Sequence, residues 1–556
     1  MVRRFFHIFN KEIKGLHEAA YLLAIFAFLS QLLALFRDRI LASTFGTSHI
    51  LDIYYSAFRI PDFIFVTVGS MISISVLVPF IIEKTKVSDD NARDFIRSIF
   101  IFFSILIVFS SVVVFFLIPY IAPYIFKGLG SYNELILMSR ILLLSPILLG
   151  LSNFFASITQ VGKRFLVYAL SPIFYNFGII LGIFFFYPIF GIYGLALGVI
   201  LGALMHLAIQ VPFVIESGLF KITPLKIDFS SIKNVILISI PRTITLGMTQ
   251  FSILALLGLA SYMKDGSITI FNFAMNLQSV PLSIIGVSYS IAAFPTLAKC
   301  FSSGNKDEFL SHIVSGARHI IFWSIPVSVL FVVLRAQIVR TIYGAGEFSW
   351  SSTKLTAAAL AIFAISVVAQ SLVLLFIRGY YAMGNTKKSL YTSVITGISS
   401  VGFSFLFIKT YEASTFFRYF IENLFRVEDM TGSKILMIAC GFALAQIINC
   451  IILWTYFEKD FNGFSVPLFK TLFQSFSASI IMGFIAYIGL NIFDSIFNIN
   501  TLIGIFMQGL CAGILGIIAC IFVLHVLKST ELEETRVALH KKFWKVKTVV
   551  PDMGEL

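Results

Sequence analysis

Residues 32–42 read LLALFRDRILA, with Arg37, Asp38 and Arg39 set inside a run otherwise built for hydrocarbon. How that run is read decides the fold. Over the 556 residues, 58% are hydrophobic and 12% are charged, and mean hydropathy is +0.94. A water-soluble globule of this composition has too little polar surface to cover itself. The run is therefore one of many that cross a bilayer, and its three charges sit where charge is costly.

Apolar stretches long enough to span about 30 Å of hydrocarbon recur along the chain. Fourteen are expected, near 20–45, 52–82, 98–120, 134–160, 167–187, 190–216, 234–262, 268–298, 309–334, 355–382, 389–408, 435–457, 467–491 and 501–527. The fold class is an all-α polytopic membrane protein.

The formal charge of +13 raises the question of nucleic acid, and its distribution answers it. With the N-terminus inside, cytoplasmic loops, tails and the span ends beside them carry 26 of the 41 Lys and Arg residues, and outer loops with their span ends carry 10. That asymmetry orients a membrane protein, with both termini cytoplasmic, and no nucleic-acid partner is expected. Arg37, Arg39, Arg59, Arg242 and Arg318 are the remaining five, in spans or at their ends. The N-terminal 1–19 is basic and aromatic, lacks the pattern of a cleavable signal and reads as an interfacial lead-in. Cys300, Cys440, Cys450, Cys511 and Cys520 lie in or beside apolar spans at no metal-ligand spacing, so neither a disulfide nor a bound metal is expected.

A weak repeat relates 20–217 to 233–409. LDIYYSAFRIPDF (51–63) opens the second span and ITIFNFAMNLQSVP (268–281) the eighth, each with a proline about a dozen residues in. FFASITQVGKRFLVYAL (154–170) and LFIRGYYAMGNTKKSLYTS (375–393) make matching junctions of Gly followed by basic residues. The expected organisation is an N-lobe at 20–217 and a C-lobe at 218–409 completed by 435–457. A C-terminal helix pair at 467–527 and a basic cytosolic tail at 528–556 follow. Two parallel six-helix lobes of this kind build a central site between them in secondary transporters. The outer segment 410–434 contains TFFRYFIENLF, whose Phe416, Phe417, Phe420, Ile421 and Leu424 share one helical face suited to the membrane surface. The tail carries a Thr530/Glu533 capping box and ends in HKKFWKVK (540–547), a pattern suited to anionic headgroups.

Helical spacing gathers the polar residues of four spans into stripes. Ser30, Arg37 and Thr44 share a face of the first span, edged by Gln31 and Asp38. Asp52, Tyr55, Ser56 and Arg59 do so in the second, just before Asp62. Arg242, Thr245, Thr249 and Ser252 line the seventh, and Asn272, Asn276 and Ser279 the eighth. Equivalent spans of both halves thus point to a shared hydrated cavity. Arginine is a permanent cation with a planar fork of donors suited to phosphate, so the cavity fits an anionic cargo. Each residue also has a plainer reading. Arg37 is near enough to the outer interface to snorkel, Arg39 points elsewhere and anchors the helix end, and Asp52 suits a helix cap. Arg378 sits at a cytoplasmic end as an anchor, and His206, one turn from Gln210, is a packing residue. No Gly-rich phosphate-binding loop with its lysine is present, so no ATP site is expected.

LLALFRDRILASTFG (32–46), LDIYYSAFRIPDF, AKCFSSGNKDEF (298–309) and RGYYAMGNTKKS (378–389) as a set resemble the lipid II flippases of the MurJ/MviN family, within the multidrug/oligosaccharidyl-lipid/polysaccharide exporter superfamily. The resemblance runs from about residue 20 to 409. It implies a bacterial inner-membrane flippase that moves undecaprenyl-diphosphate-linked peptidoglycan precursor from the inner to the outer leaflet by alternating access. Its partners are lipid II, membrane lipids and other cell-wall synthesis proteins, with no cofactor. A coupling sodium ion or proton stays open. The family's Arg-Asp pair falls on Arg37 and Asp38, its acidic residue opening the second span on Asp52, and its basic residue before "LPN" on Arg59 of RIPD. Gln31, Phe65 with Val66, and Asn276 stand where the family has arginines, and Arg242 is expected to supply the missing charge. The diphosphate cleft is thus expected to be made by Arg37, Asp38, Asp52, Arg59, Arg242 and Asn276. Gln31, Ser30, Tyr55, Thr245, Asn272 and Arg378 line it more weakly. Alternatives are an exporter of another polyprenyl-linked glycan or an organic cation, a membrane glycosyltransferase or ligase, and a transporter relative that has lost transport.

Overall fold

A hydrocarbon solvent offers no hydrogen bonds, so a chain of this composition must satisfy every backbone group internally, and it does so in helices. The computed structural model describes residues 16–71, 74–162, 164–218, 229–428 and 430–543, and among them no strand occurs. Twelve helices among the described residues are long and apolar enough to cross a membrane, from Asp90–Ile125 through Leu502–Val526, and they match the third to fourteenth expected spans. The first two expected spans are the helices Leu16–Phe45 and His49–Met71, which carry Arg37, Asp38, Arg39, Asp52, Arg59 and Asp62. The second is described in two stretches, His49–Met71 and Ile74–Val87, on either side of residues 72–73, which lie outside the described residues. The eighth is broken by a π-helical segment at Leu282–Val287, directly after Pro281. Proline cannot donate to the helical ladder, and a π-turn is one way to absorb that loss.

The chain forms two compact units, and four of the five boundaries between them fall inside helices. One comprises 1–280, 339–363 and 385–449. Part of its core joins Phe95, Ile99, Phe103, Phe154, Ile158 and Val235. Elsewhere in this unit the backbones approach closely through glycine. A Cβ on Gly178 would lie 2.3 Å from the Cα of Gly202, and one on Gly182 the same distance from that of Gly198. Small residues four apart on facing helices permit the close packing that membranes favour when no hydrophobic force separates lipid from protein.

The other unit comprises 281–338, 364–384 and 450–556. Phe322 of Lys306–Val333 packs with Ala478 and Met482 of Val466–Asp494 and with Cys520 and Leu524 of Leu502–Val526. A second cluster joins Phe376, Trp454, Phe457 and Phe464. Large apolar side chains also face outward along the spanning helices, among them Phe109, Phe116, Phe484 and Phe522. That is the arrangement lipid requires.

The outer segment forms the helix Thr415–Phe425, capped by the Ser414 hydroxyl on the Phe417 amide. Phe416, Phe420 and Leu424 are exposed as an interfacial helix needs, but Ile421 turns inward beside a buried Glu422. The Tyr411 and Ser433 hydroxyls and the Arg418 Nε all donate to Glu422 Oε1, the last two at 3.0 and 3.1 Å. The expected tail helix runs Thr530–Phe543. Its cap departs from expectation. Ser529 holds the cap position, because the Thr530 hydroxyl is taken by Arg318 at 2.6 Å. Residues 1–15 of the N-terminal lead-in and 544–547 of the basic tail motif lie outside the described residues.

Candidate functional site

The first helix supplies the centre of the site. Arg37 donates from Nε and Nη2 to Asp38 Oδ1 at 2.9 and 2.7 Å, and from Nη1 to Asn176 Oδ1 at 2.8 Å. The second Asp38 oxygen accepts from Asn276 Nδ2 at 2.9 Å. Asp38 is 2% exposed, whereas the Arg37 side chain keeps 20% of its surface. A carboxylate inside apolar helices is tolerable only with such partners. Asn176 was not foreseen. Its signal was a single asparagine in the apolar run FYNFG, and its own Nδ2 is anchored on the Pro172 carbonyl at 3.1 Å.

One turn before Asn276, Asn272 accepts from Arg59 Nη2 and fixes its own amide on the Ile268 carbonyl at 2.8 Å. The helix Ser267–Pro281 therefore meets the Asp38 carboxylate with one asparagine and the Arg59 guanidinium with the other. Arg59 is also in electrostatic reach of Asp62. Its Nε is buried with no hydrogen-bond partner among the described residues, and so are the hydroxyls of Tyr55 and Ser56 on the same helix face. Buried polar atoms in native proteins are nearly always paired, so three orphaned on one face mark a place with unused binding capacity.

Asp52 is placed differently. One oxygen accepts from the Gly266 amide at 2.6 Å, and the other from the amide and hydroxyl of Thr269 at 2.8 and 2.7 Å. It lies in the first turn of its own helix yet caps another, Ser267–Pro281, where carboxylates are favoured by unpaired amides and the dipole. Gly266 has φ +89°, and a Cβ there would lie 2.4 Å from the Thr47 carbonyl, so the loop presents its amide only as glycine. Arg39, expected to anchor the helix end, donates to the carbonyls of Thr341 and Ile342 at 2.6 and 3.0 Å, at the end of the helix Arg335–Tyr343.

The remaining expected residues are less informative. Thr245 is buried, and Ser30 and Gln31 are half-buried. Arg242 is in the helix Phe229–Ala260, its side chain outside the described residues. Arg378 belongs to the other compact unit. His206 is a packing residue as expected, its Nδ1 2.7 Å from the Ser152 hydroxyl, which also accepts from Gln210. A polar cavity of about 470 Å³, lined in part by Thr47, Lys264, Asp265, Glu347 and Ser352, lies beside the Asp52 cap and not at Arg37.

The comparisons with known proteins agree. A family model described as "Lipid II flippase MurJ" matches residues 41–508. A probable lipid II flippase MurJ of Borreliella burgdorferi is 28% identical over 496 residues, covering 84% of this chain and 94% of that protein. One from Thermotoga maritima is 28% identical over 384 residues, 68% of this chain and 76% of that protein. A solved structure of lipid II flippase MurJ in an inward closed conformation superimposes with a TM-score of 0.70 at 22% identity, covering 93% of this chain and 100% of that one. An inward-facing multidrug resistance MATE family transporter follows at TM-score 0.62 and 15% identity, covering 79% and 95%. The fold is that of a multi-pass transporter and not of a membrane enzyme, and the chain belongs to the MurJ family of lipid II flippases.

Proposed function

We propose that this chain carries lipid II from the inner to the outer leaflet of a bacterial cytoplasmic membrane by alternating access, with both termini cytoplasmic. The observation that carries the reading is the pair of arginines, Arg37 and Arg59, held within apolar helices by Asn176 and Asn272. An intramembrane arginine is expensive and marks a path for cargo, and a diphosphate matches its fork of donors. In the described geometry Asp38 occupies two Arg37 donors, while Arg59 Nε and the Tyr55 hydroxyl are unspent. The diphosphate therefore meets Arg59 and Tyr55 first and then competes with Asp38 for Arg37. Arg242 joins them from the neighbouring helix, and the polyprenyl tail stays in the membrane. The six-helix lobes, one at 20–217 and the other at 218–409 with 435–457, rock to close one side and open the other. An inside-negative potential favours outward movement of an anion by about 2.3 kcal/mol per charge per 100 mV and draws an incompletely neutralised empty cleft back. The coupling ion is unassigned.

The test is rescue of a bacterium depleted of its own lipid II flippase by the wild-type chain and by Arg37→Ala, Arg59→Ala and Arg242→Ala at matched membrane levels. Rescue by wild type and loss with each variant is the expected result. Variants that rescue as wild type does would remove those arginines from the cargo path. An expressed wild-type chain that never rescues would move another polyprenyl-linked glycan ahead as cargo.

A further inference from the structure

The turn between Ser288–Ser302 and Lys306–Val333 gathers three side chains that the transport reading does not use. Cys300 closes the first helix, and Glu308 and His312 share a face of the second, four residues apart. The Cys300 Sγ, a Glu308 carboxylate oxygen and a His312 ring nitrogen all lie within 4.8 Å of one another. A point within about 2.8 Å of all three therefore exists, against typical zinc bonds of about 2.3 Å to sulfur and about 2.0–2.2 Å to nitrogen or oxygen. Rotation of the Glu308 and His312 side chains, 51% and 43% exposed, can close those gaps of about 0.5 Å to sulfur and about 0.6–0.8 Å to nitrogen or oxygen.

The surroundings are organised for it. Gly304, at φ +76°, reverses the chain between the helices. The Asn305 amide then reaches the Cys300 carbonyl at 3.1 Å. The Asn305 side chain accepts from the Glu308 amide at 3.2 Å and donates to Glu308 Oε2 at 2.9 Å. That leaves Oε1 turned to His312 Nε2, 3.8 Å away. Asn305 thus orients the carboxylate as outer partners of metal ligands do. Cys300 is 5% exposed and presents its sulfur beneath the two more accessible groups. A search for paired cysteines overlooks this set, because its pattern is C-x7-E-x3-H across a turn.

We propose that Cys300, Glu308 and His312 form a binding site for a thiophilic divalent transition metal of the zinc class. Three protein ligands leave a fourth position for water or an outside ligand. The bound ion ties the end of one helix to the start of the next. Among the described residues no other cysteine shares such a group.

The test uses the full chain, purified in detergent, stripped with EDTA and titrated with Co²⁺ alone. One equivalent per chain is expected, with a thiolate-to-cobalt charge-transfer band that added Zn²⁺ displaces. Cys300→Ser removes the band, His312→Gln weakens binding at least tenfold, and Asn305→Ala weakens it about 10–100-fold. His312 is at the surface, so its variant folds, and monodispersity on size exclusion checks the others. No band from monodisperse wild type overturns the proposal, as does a band that persists in Cys300→Ser or unchanged affinity in His312→Gln.

Discussion

Two arginine–carboxylate pairs in this protein have the same contact length and opposite character. Arg37 meets Asp38, and Arg318 meets Glu531, each at 2.7 Å. The Glu531 carboxylate is saturated. Arg318 Nε and the Thr471 hydroxyl hold one oxygen, and the Ser529 hydroxyl holds the other at 2.8 Å. These contacts make it a clasp between helices of one compact unit. In the other unit the Arg37–Asp38 pair is buttressed by two asparagines, while Arg59 Nε and the Tyr55 hydroxyl close by in sequence lack partners among the described residues. A saturated network stabilises, and an unsaturated one keeps binding capacity at a cost in stability.

The sharpest way to break this contrast is to remove one partner from each pair. Arg318→Ala leaves Glu531 buried and uncompensated, and a loss of about 3–5 kcal/mol in unfolding stability is expected. Transport per folded molecule should stay near wild type. Asp38→Asn keeps its shape and most of its hydrogen bonds. Its stability should change by about 1 kcal/mol, while transport in a lipid II flipping assay should change at least tenfold. Thermal unfolding in detergent beside that assay decides the matter. If both variants melt alike and transport alike, the two clusters do not differ in kind.

Acid titration sharpens the clasp. Burial alone would raise the Glu531 carboxyl, but hydrogen bonds from Thr471, Arg318 and Ser529 outweigh it and hold the group at about 2. Because its folded value is depressed, Glu531 contributes stability above the unfolded value near 4.5 and loses it as pH falls through about 2. The full contribution is about 3 kcal/mol. The pH dependence of unfolding between 4.5 and 2 should therefore flatten in Glu531→Gln. An identical slope in the variant would mean that other carboxyls set the acid limit.

The smallest effect is expected at Tyr55→Phe. Its hydroxyl has no partner to lose among the described residues, so unfolding stability should hold within about 0.5 kcal/mol or rise slightly. Transport should fall severalfold if the hydroxyl meets cargo. Unchanged transport would remove Tyr55 from the site and leave Arg59 with Asn272 alone.

Much of this site was legible in the chain. Helical arithmetic placed Asn272 and Asn276 on one face, and the structure brings that face to Arg59 and Asp38. The same arithmetic put Asp52 with Arg59, yet Asp52 caps a helix more than two hundred residues away. It made Arg39 an anchor of its helix end without naming the acceptors, which are the carbonyls of Thr341 and Ile342. Spacing reports which side chains share a face and says nothing of what that face meets.

The sequence by itself determined that the chain is helical and spans a membrane, because in hydrocarbon a backbone must bond within its own segment, a local condition written in local hydropathy. It also determined which few residues would be costly there, since a charge in an apolar run is visible without any partner. Only the tertiary structure decided how each cost is met: Asn176 for Arg37, the Gly266 and Thr269 amides for Asp52, Glu531 for Arg318, and a turn that joins Cys300 to His312. Such partners are distant in sequence or lie across a turn, and a side chain's partner is set by the packing of whole helices, which no local pattern encodes.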